Sequence, residues 1–245
     1  NGLASPYLLG ISAGSGLVIV FFISFGLMQS FIPLAAWVGA ILTTLIVFVL
    51  SRDGNKIVVE RLVLGGVAIS SLFGAIQATL LLQVEDGRIQ AALNWLIGSL
   101  NARGWQEINF AALPISIALI IGLFLSRQLN LLSLGDDLSV GLGNSLFRSR
   151  CLIGAVATLL TACAVSIGGL IGFIGLIVPH FSRLLIGNDF KYILPFSALI
   201  GALTLSTADF ISRLGPIEIP VGIVTALVGA PIFMIILYKK TGYKK

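Results

Sequence analysis

Charge is what this sequence has least of. Asp, Glu, Lys and Arg together supply 10% of its 245 residues, against about 25% in an ordinary soluble domain. That excludes a solvated globular surface. One histidine and two cysteines are too few for a zinc or iron–sulfur ligand set, so no metal site is predicted. Cys151 and Cys163 lie on one apolar run, about 18 Å apart along a helix at roughly 1.5 Å per residue, and cannot bridge each other. Neither G-x-x-x-x-G-K-[ST] nor H-E-x-x-H occurs, so the chain has no phosphate loop with which to hydrolyse nucleotide and no zinc-protease helix. The apolar runs carry no Ser-His or paired-Asp arrangement for intramembrane proteolysis, and no set of acids for a metal-ion channel. No catalytic residue and no cofactor are expected. The net charge of +5 does not point to nucleic acid, because the Lys and Arg sit at the ends of apolar runs rather than on amphipathic or aromatic-interleaved segments.

What is present in excess is apolar length. Hydrophobic residues make up 57% of the chain and the mean hydropathy is +1.07. About 20 apolar residues cross a hydrocarbon core of roughly 30 Å. Runs of that kind fall at about 8 to 29, 32 to 51, 61 to 83, 109 to 126, 150 to 167, 170 to 186, 193 to 214 and 220 to 238. The predicted fold class is all-α, a polytopic transmembrane bundle of about eight spans forming one domain over residues 1–245. Basic residues alternate as topology requires. Arg52, Lys56, Arg61, Arg127, Arg148, Arg150, Arg183, Lys191, Lys239, Lys240, Lys244 and Lys245 assign to the inner side, and only Arg88, Arg103 and Arg213 to the outer side.

That parity makes one region tight. Two passes must fit between Arg150 and Arg183, so at least one is short or the pair turns back near Gly168 and Gly169. Gly168, Gly169, Gly172 and Gly175 are expected to permit the reversal and close helix packing. Pro179 breaks the pattern before the inner end. His180, the lone histidine, is expected to be structural rather than a ligand.

Two connecting segments are long. The outer one, "VEDGRIQAALNWLIGSLNARGWQEI" from Val84 to Ile108, mixes charges with Trp95 and Trp105 and suits a helix lying at the membrane interface or a plain aromatic belt. The inner one spans about 129–149. Asp136 and Asp137 after Gly135 place negative charge at the start of a short helix, which Gly141 and Gly143 end. Leu131, Leu132, Leu134, Leu138 and Leu142 are too apolar for a bare loop, and a docking surface for a partner is expected there. Among ionisable residues, Asp209 and Arg213 stand four apart, a spacing at which they can pair.

"NGLASPYLLGISAGSG", "LNLLSLGDDLSVGLG", "GLIGFIGLIVPHFSRLLIG", "LIGALTLSTADFISR" and "EIPVGIVTALVGAPIFMIIL" occur in the order found in permeases of ferric-siderophore, haem and cobalamin importers, the type II ABC uptake systems. The whole chain resembles that family. The resemblance implies a multi-pass protein of the bacterial cytoplasmic (inner) membrane, set in the lipid bilayer. It implies two ABC ATPase subunits inside, an extracytoplasmic substrate-binding protein outside, and a second permease copy, in a homodimer or heterodimer, with the path between the copies. It implies ATP-driven import, of ferric siderophores before haem or cobalamin. A proton-coupled carrier using Asp209 and a noncatalytic scaffolding subunit remain as rival readings.

By the same resemblance, Gly135, Asp136, Asp137, Leu138, Leu142 and Gly143 belong to helices seated on the ATPase. Arg213 would meet acidic residues of the binding protein, or else pair with Asp209. Ser12, Gly14, Gly65, Gly66, Ser70 and Thr225 would line the path. Val58, Val59 and Glu60 mark the inner gate, where the cobalamin importer has small hydroxyl residues. Family members have about ten spans and two of them precede the "N-x-L-A" motif, so the resemblance implies a chain without those first two.

Overall fold

The computed structural model describes residues 10–27, 31–54, 56–84, 86–101 and 103–242. The opening motif up to residue 9, the outer ends of the first apolar run, and Lys244 and Lys245 lie outside the described residues. Among the described residues the chain forms helices α1 (Ile11–Ser24) and α2 (Ile32–Ser51), then a hairpin of two-residue strands, β1 (Arg52–Asp53) and β2 (Lys56–Ile57). There follow α3 (Val59–Leu81), α4 (Asp86–Ile97), α5 (Trp105–Phe124), α6 (Ser126–Ser133) and α7 (Asp136–Gly141). The last four are α8 (Leu146–Gly168), α9 (Ile174–Ile186), α10 (Phe190–Ser212) and α11 (Val221–Gly242).

Helix is the only way most of these runs can satisfy their backbone in hydrocarbon, since every N–H and C=O must be bonded within the segment. Among the described residues five helices are long and apolar enough to cross a membrane: α2, α3, Glu107–Phe124 of α5, α8 and α10. α1, α9 and Val221–Ile236 of α11 are apolar but shorter. The chain is an all-α polytopic membrane bundle, and the expected eight runs divide into long and short helices. Ends are set by local chemistry. Pro33 opens α2, where a missing N–H costs nothing. The Gly104 N–H donates to Glu107 at the start of α5, and the Lys191 N–H donates to Asp189 at the start of α10.

α1 is the hub of the larger group, packed among α2, α3, α4 and α8, with α5 against the far side of α8. Ile19, Ile23, Ile32, Ala36, Ala92 and Val165 form its core, with Trp95 and Phe22 against them. α9, α10 and α11 form a second group around Ala208, Val221 and Val224. The groups meet where α6 and α5 touch α10 and where the start of α11 meets the chain just after α4.

The outer segment forms a helix that packs on the bundle: Ala92 is fully buried in the main core, and α4 leans on α1. Its two charged residues, Asp86 and Arg88, stand in its first turn, which leaves the alanine face free to pack. At the tight region, α8 takes a full span and α9 only 13 residues, so one pass is short. The chain reverses at Gly169, whose φ is 72°.

Candidate coupling surface and translocation path

The end of the bundle that carries Arg148, Arg150 and Arg183 holds a small polar framework. Gly135, at φ 97°, turns α6 into α7, and Gly143, at φ 81°, turns α7 into α8. Asp136 and Asp137 occupy the first turn of α7, favourable at the positive end of a helix. Asn144 ties that helix to the next: its Nδ2 donates to the fully buried Ser139 (2.8 Å), and Ser149 Oγ donates to its Oδ1 (2.6 Å). Asn130 on α6 reaches α10, donating to Asp189 at 2.7 Å and accepting from the Phe190 N–H at 3.0 Å. The Asn130 amide and the Lys191 N–H hold the Asp189 carboxyl below its ordinary range. Leu134, Leu138, Val140 and Leu142 stay exposed on this framework, so a rigid mount presents an apolar face.

The path residues separate. Ser12 is buried on α1, and Gly14 lies in the crossing of α1 and α2. A Cβ on Gly14 would run into Thr43 Oγ1 and stand 2.6 Å from the Gly39 carbonyl oxygen. Gly14 thus serves helix contact within the chain. Gly66 is buried beneath Gly10, where a Cβ would meet its carbonyl at 3.2 Å and Ser70 Oγ at 3.5 Å. Gly65 and Ser70 are half-buried on α3. Thr225 lies in the other group, in an apolar groove of about 240 Å³ between α9, α10 and α11, with Phe173, Thr207 and Val228 among its walls. Val58 precedes α3 in extended conformation, and Val59 and Glu60 begin it, both exposed.

The four glycines of the reversal also part company. A Cβ on Gly169 would press on the Trp95 carbonyl, and one on Gly168 would meet Ile171 at 3.0 Å and Leu100 at 3.3 Å. Among the described residues nothing lies within 4 Å of a Cβ added at Gly172 or Gly175. The contact lies deeper, in a knot of backbone. Ser99 N–H donates to Gly168 O (2.9 Å), Leu170 N–H to Trp95 O (3.2 Å) and Gly222 N–H to Gly98 O (3.0 Å). Pro179 and His180 are half-buried along α9.

Arg213 caps α10 and pairs with Asp209, Nε to Oδ2 at 2.9 Å and Nη2 to Oδ1 at 3.2 Å. That pairing, with Glu218 nearby, holds the guanidinium above its ordinary range. Arg103 stacks over Trp95 at 4.1 Å, and burial lowers its pKa against the pull of Glu107.

Several contributors were not evident from the runs alone. Gly39 and Thr43 are spaced as a small-x-x-x-small pair, a readable signal for helix contact in membranes. Asn130, Asn144 and Ser139 needed the fold, since their partners lie on other helices. Phe173, at φ 66°, packs its Cβ 2.6 Å from where a side chain on Gly229 would stand, and nothing in its local sequence marks it.

Residues 1–239 match the model of the FecCD transport family. The chain is 40% identical over 243 residues to the Fe(3+)-citrate import system permease protein YfmE of Bacillus subtilis (strain 168), covering 97% of this chain and 72% of that protein. It is 38% identical over 248 residues to the hemin transport system permease protein HmuU of Yersinia pestis, covering 98% and 74%. The cobalamin import system permease protein BtuC of Halobacterium salinarum is 37% identical over 239 residues, covering 97% of this chain and 64% of the relative. Among solved structures, an inward-facing metal-chelate type ABC transporter superposes with a TM-score of 0.92 at 33% identity, covering 98% of this chain and 77% of the other.

Proposed function

This chain belongs to the FecCD transport family, and from that premise we propose that it is the permease subunit of an ATP-driven importer of ferric-siderophore complexes. The coarser statement is direct: it is a multi-pass membrane permease component of a metal-chelate ABC importer, a transport subunit rather than an enzyme. The observation that supports the ATPase-driven part of this reading is the apolar face of Leu134, Leu138, Val140 and Leu142 on a hydrogen-bonded mount, and the ferric cargo is suggested by the 40% identity to the Fe(3+)-citrate permease. Four exposed apolar side chains beside Asp136, Asp137 and Arg148, outside the five full-length spans, suit a protein partner rather than lipid.

In this reading the eight apolar helices, long and short, form the membrane-embedded body in the bacterial cytoplasmic membrane. Two ABC ATPase subunits seat on α6 and α7. A second permease copy completes the path, because α3 and α11 belong to separate packed groups in one chain. Gly65, Ser70 and Thr225 are the path candidates that fit, Val58 to Glu60 form the inner gate, and Arg213 meets an acidic residue of the extracytoplasmic binding protein. The Asp209 carboxylate is already committed to an ion pair with Arg213, which supports a structural role for it over that of a proton site.

The test is uptake of labelled ferric siderophores by cells lacking their own permease, supplied with this chain, its ATPase and its binding protein. Accumulation that needs the ATPase and survives collapse of the proton gradient is expected. Transport of haem or cobalamin instead would reassign the cargo, and uptake that follows the proton gradient without the ATPase would sink the importer reading.

A further inference from the structure

We propose that Arg150 is the positioning residue that carries movement of the α7 seat into the β1–β2 hairpin and the start of α3. This rests on the importer reading above, in which α7 is moved by the ATPase and α3 bears on the gate.

The argument begins with what the hairpin lacks. Two strands of two residues each have no stability of their own, so their position is set by whatever they are tied to. The ties run to the base of α8. Arg150, with 20% of its side chain exposed, points its guanidinium between two acceptors on different elements. Nη2 donates to both oxygens of Asp136 on α7, at 2.7 and 3.0 Å, and Nη1 donates to the carbonyl of Ile57 on β2, at 3.1 Å. A second tie runs the other way, with the Arg52 guanidinium of β1 over the Phe147 ring of α8 at 5.9 Å. Ile57 itself is buried, and the Val58 N–H donates to Ser51 O to close the hairpin.

The side of this joint toward the ATPase is stiff. Ser139, Asn144 and Ser149 bind α7 to α8 through hydrogen bonds of 2.6 and 2.8 Å among buried or half-buried groups. A push on Leu138 therefore moves α7 and the base of α8 as one body, and Arg150 sits on that body. Across the joint, one residue separates Ile57 from Val59, the first residue of α3. The planar fork of an arginine can hold a carboxylate and a carbonyl at once, whereas a lysine ammonium is a single point charge and keeps the ion pair without the fork. Lysine thus separates the latch from the charge.

The experiment uses the full importer with its ATPase in proteoliposomes, the chain carrying Cys151→Ala and Cys163→Ala. Spin labels go at Ser145→Cys, between α7 and α8, or Val59→Cys, both exposed, and distances between the two copies are measured with and without nucleotide. In the parent both distances are expected to change. In Arg150→Lys the change at position 145 is expected to persist, that at 59 to shrink to less than half, ATP hydrolysis to stay within twofold, and solute moved per ATP to fall about tenfold. Should that variant not assemble, Phe147→Leu, which removes only the second tie, is expected to show a milder split of the same kind. Undiminished movement at position 59, or an unchanged ratio of solute to ATP, overturns the latch while leaving the importer intact. No nucleotide-dependent change at either position in the parent overturns both the latch and the importer reading.

Discussion

Where α1 crosses α2, Gly14 and Gly39 bring two backbones into direct contact, whereas at the start of α9 Gly172 and Gly175 face nothing among the described residues within 4 Å. In sequence only the α9 glycines read as a helix contact, while Gly14 read as path lining. At the crossing, a Cβ on Gly39 would strike the Gly14 carbonyl and stand 2.9 Å from Val18, and backbone cannot give way as a flexible side chain can. Ser15 Oγ donates across the seam to Ala36 O at 3.0 Å, while Thr43 Oγ1, which faces Gly14, bonds within α2 to Gly39 O at 2.7 Å. The α9 glycines have no such neighbour. A glycine's cost of replacement is a property of the facing surface, not of its motif.

The sharpest way to break that comparison is Gly39→Ala against Gly172→Ala, read as thermal unfolding in detergent. Overpacking against backbone should cost Gly39→Ala about 1–3 kcal/mol or more, while Gly172→Ala should stay within about 0.5 kcal/mol. Equal losses would mean that Gly172 packs on a surface outside the single chain. A finer comparison is Gly169→Ala against Gly187→Ala. Both glycines hold φ near 72–84° with ψ near −153° to −163°, a region costing a side chain about 1–3 kcal/mol. Only Gly169 also meets a carbonyl, so it should be the worse of the two by a margin that reports the knot alone.

Smaller effects come from polar ties between helices. Thr44 and Thr158 share a hydrogen bond of 3.2 Å between α2 and α8, and Thr158→Val should cost about 0.6 kcal/mol, the mean for such bonds in a membrane bundle. Smallest is the exposed Asn130–Asp189 tie. The Asp189 carboxyl is held below its ordinary range, so its contribution is present above the unfolded carboxylate pKa and lost as pH falls through the lower folded value. Loosening of α6 from α10, followed by labelling of a cysteine placed on α6, should therefore set in only in strong acid. Asp189→Asn should show no such acid step, and a step persisting in that variant would assign it to another group.

The candidate site was legible in part. The Leu138–Leu142 face could be read because apolar residues in a segment flanked by charges contradict their surroundings. Gly135 and Gly143 bounded α7 in sequence and turn the chain there with positive φ. Arg150 was visible only as a topology signal, since its two acceptors lie 14 and 93 residues away. Gly14 read as path lining and lies at the α1–α2 crossing, a neighbour its own sequence does not reveal. Burial of the Val84–Ile108 segment was equally hidden, because Ala92 shows neither hydrophobic bulk nor period enough to announce it.

Composition and run length alone determined that this is an all-α membrane protein, because hydrocarbon admits apolar helices and penalises nearly everything else. Parity of the basic residues called for a short pass or a turn-back between Arg150 and Arg183, and there the chain reverses at Gly169 into the 13-residue α9. Tertiary structure decided which glycines touch, which arginine bridges two elements and which half of the bundle each path residue joins. Those are matters of separation in space, and inside lipid every helix is apolar on every side, so periodicity carries no record of which face meets a neighbour.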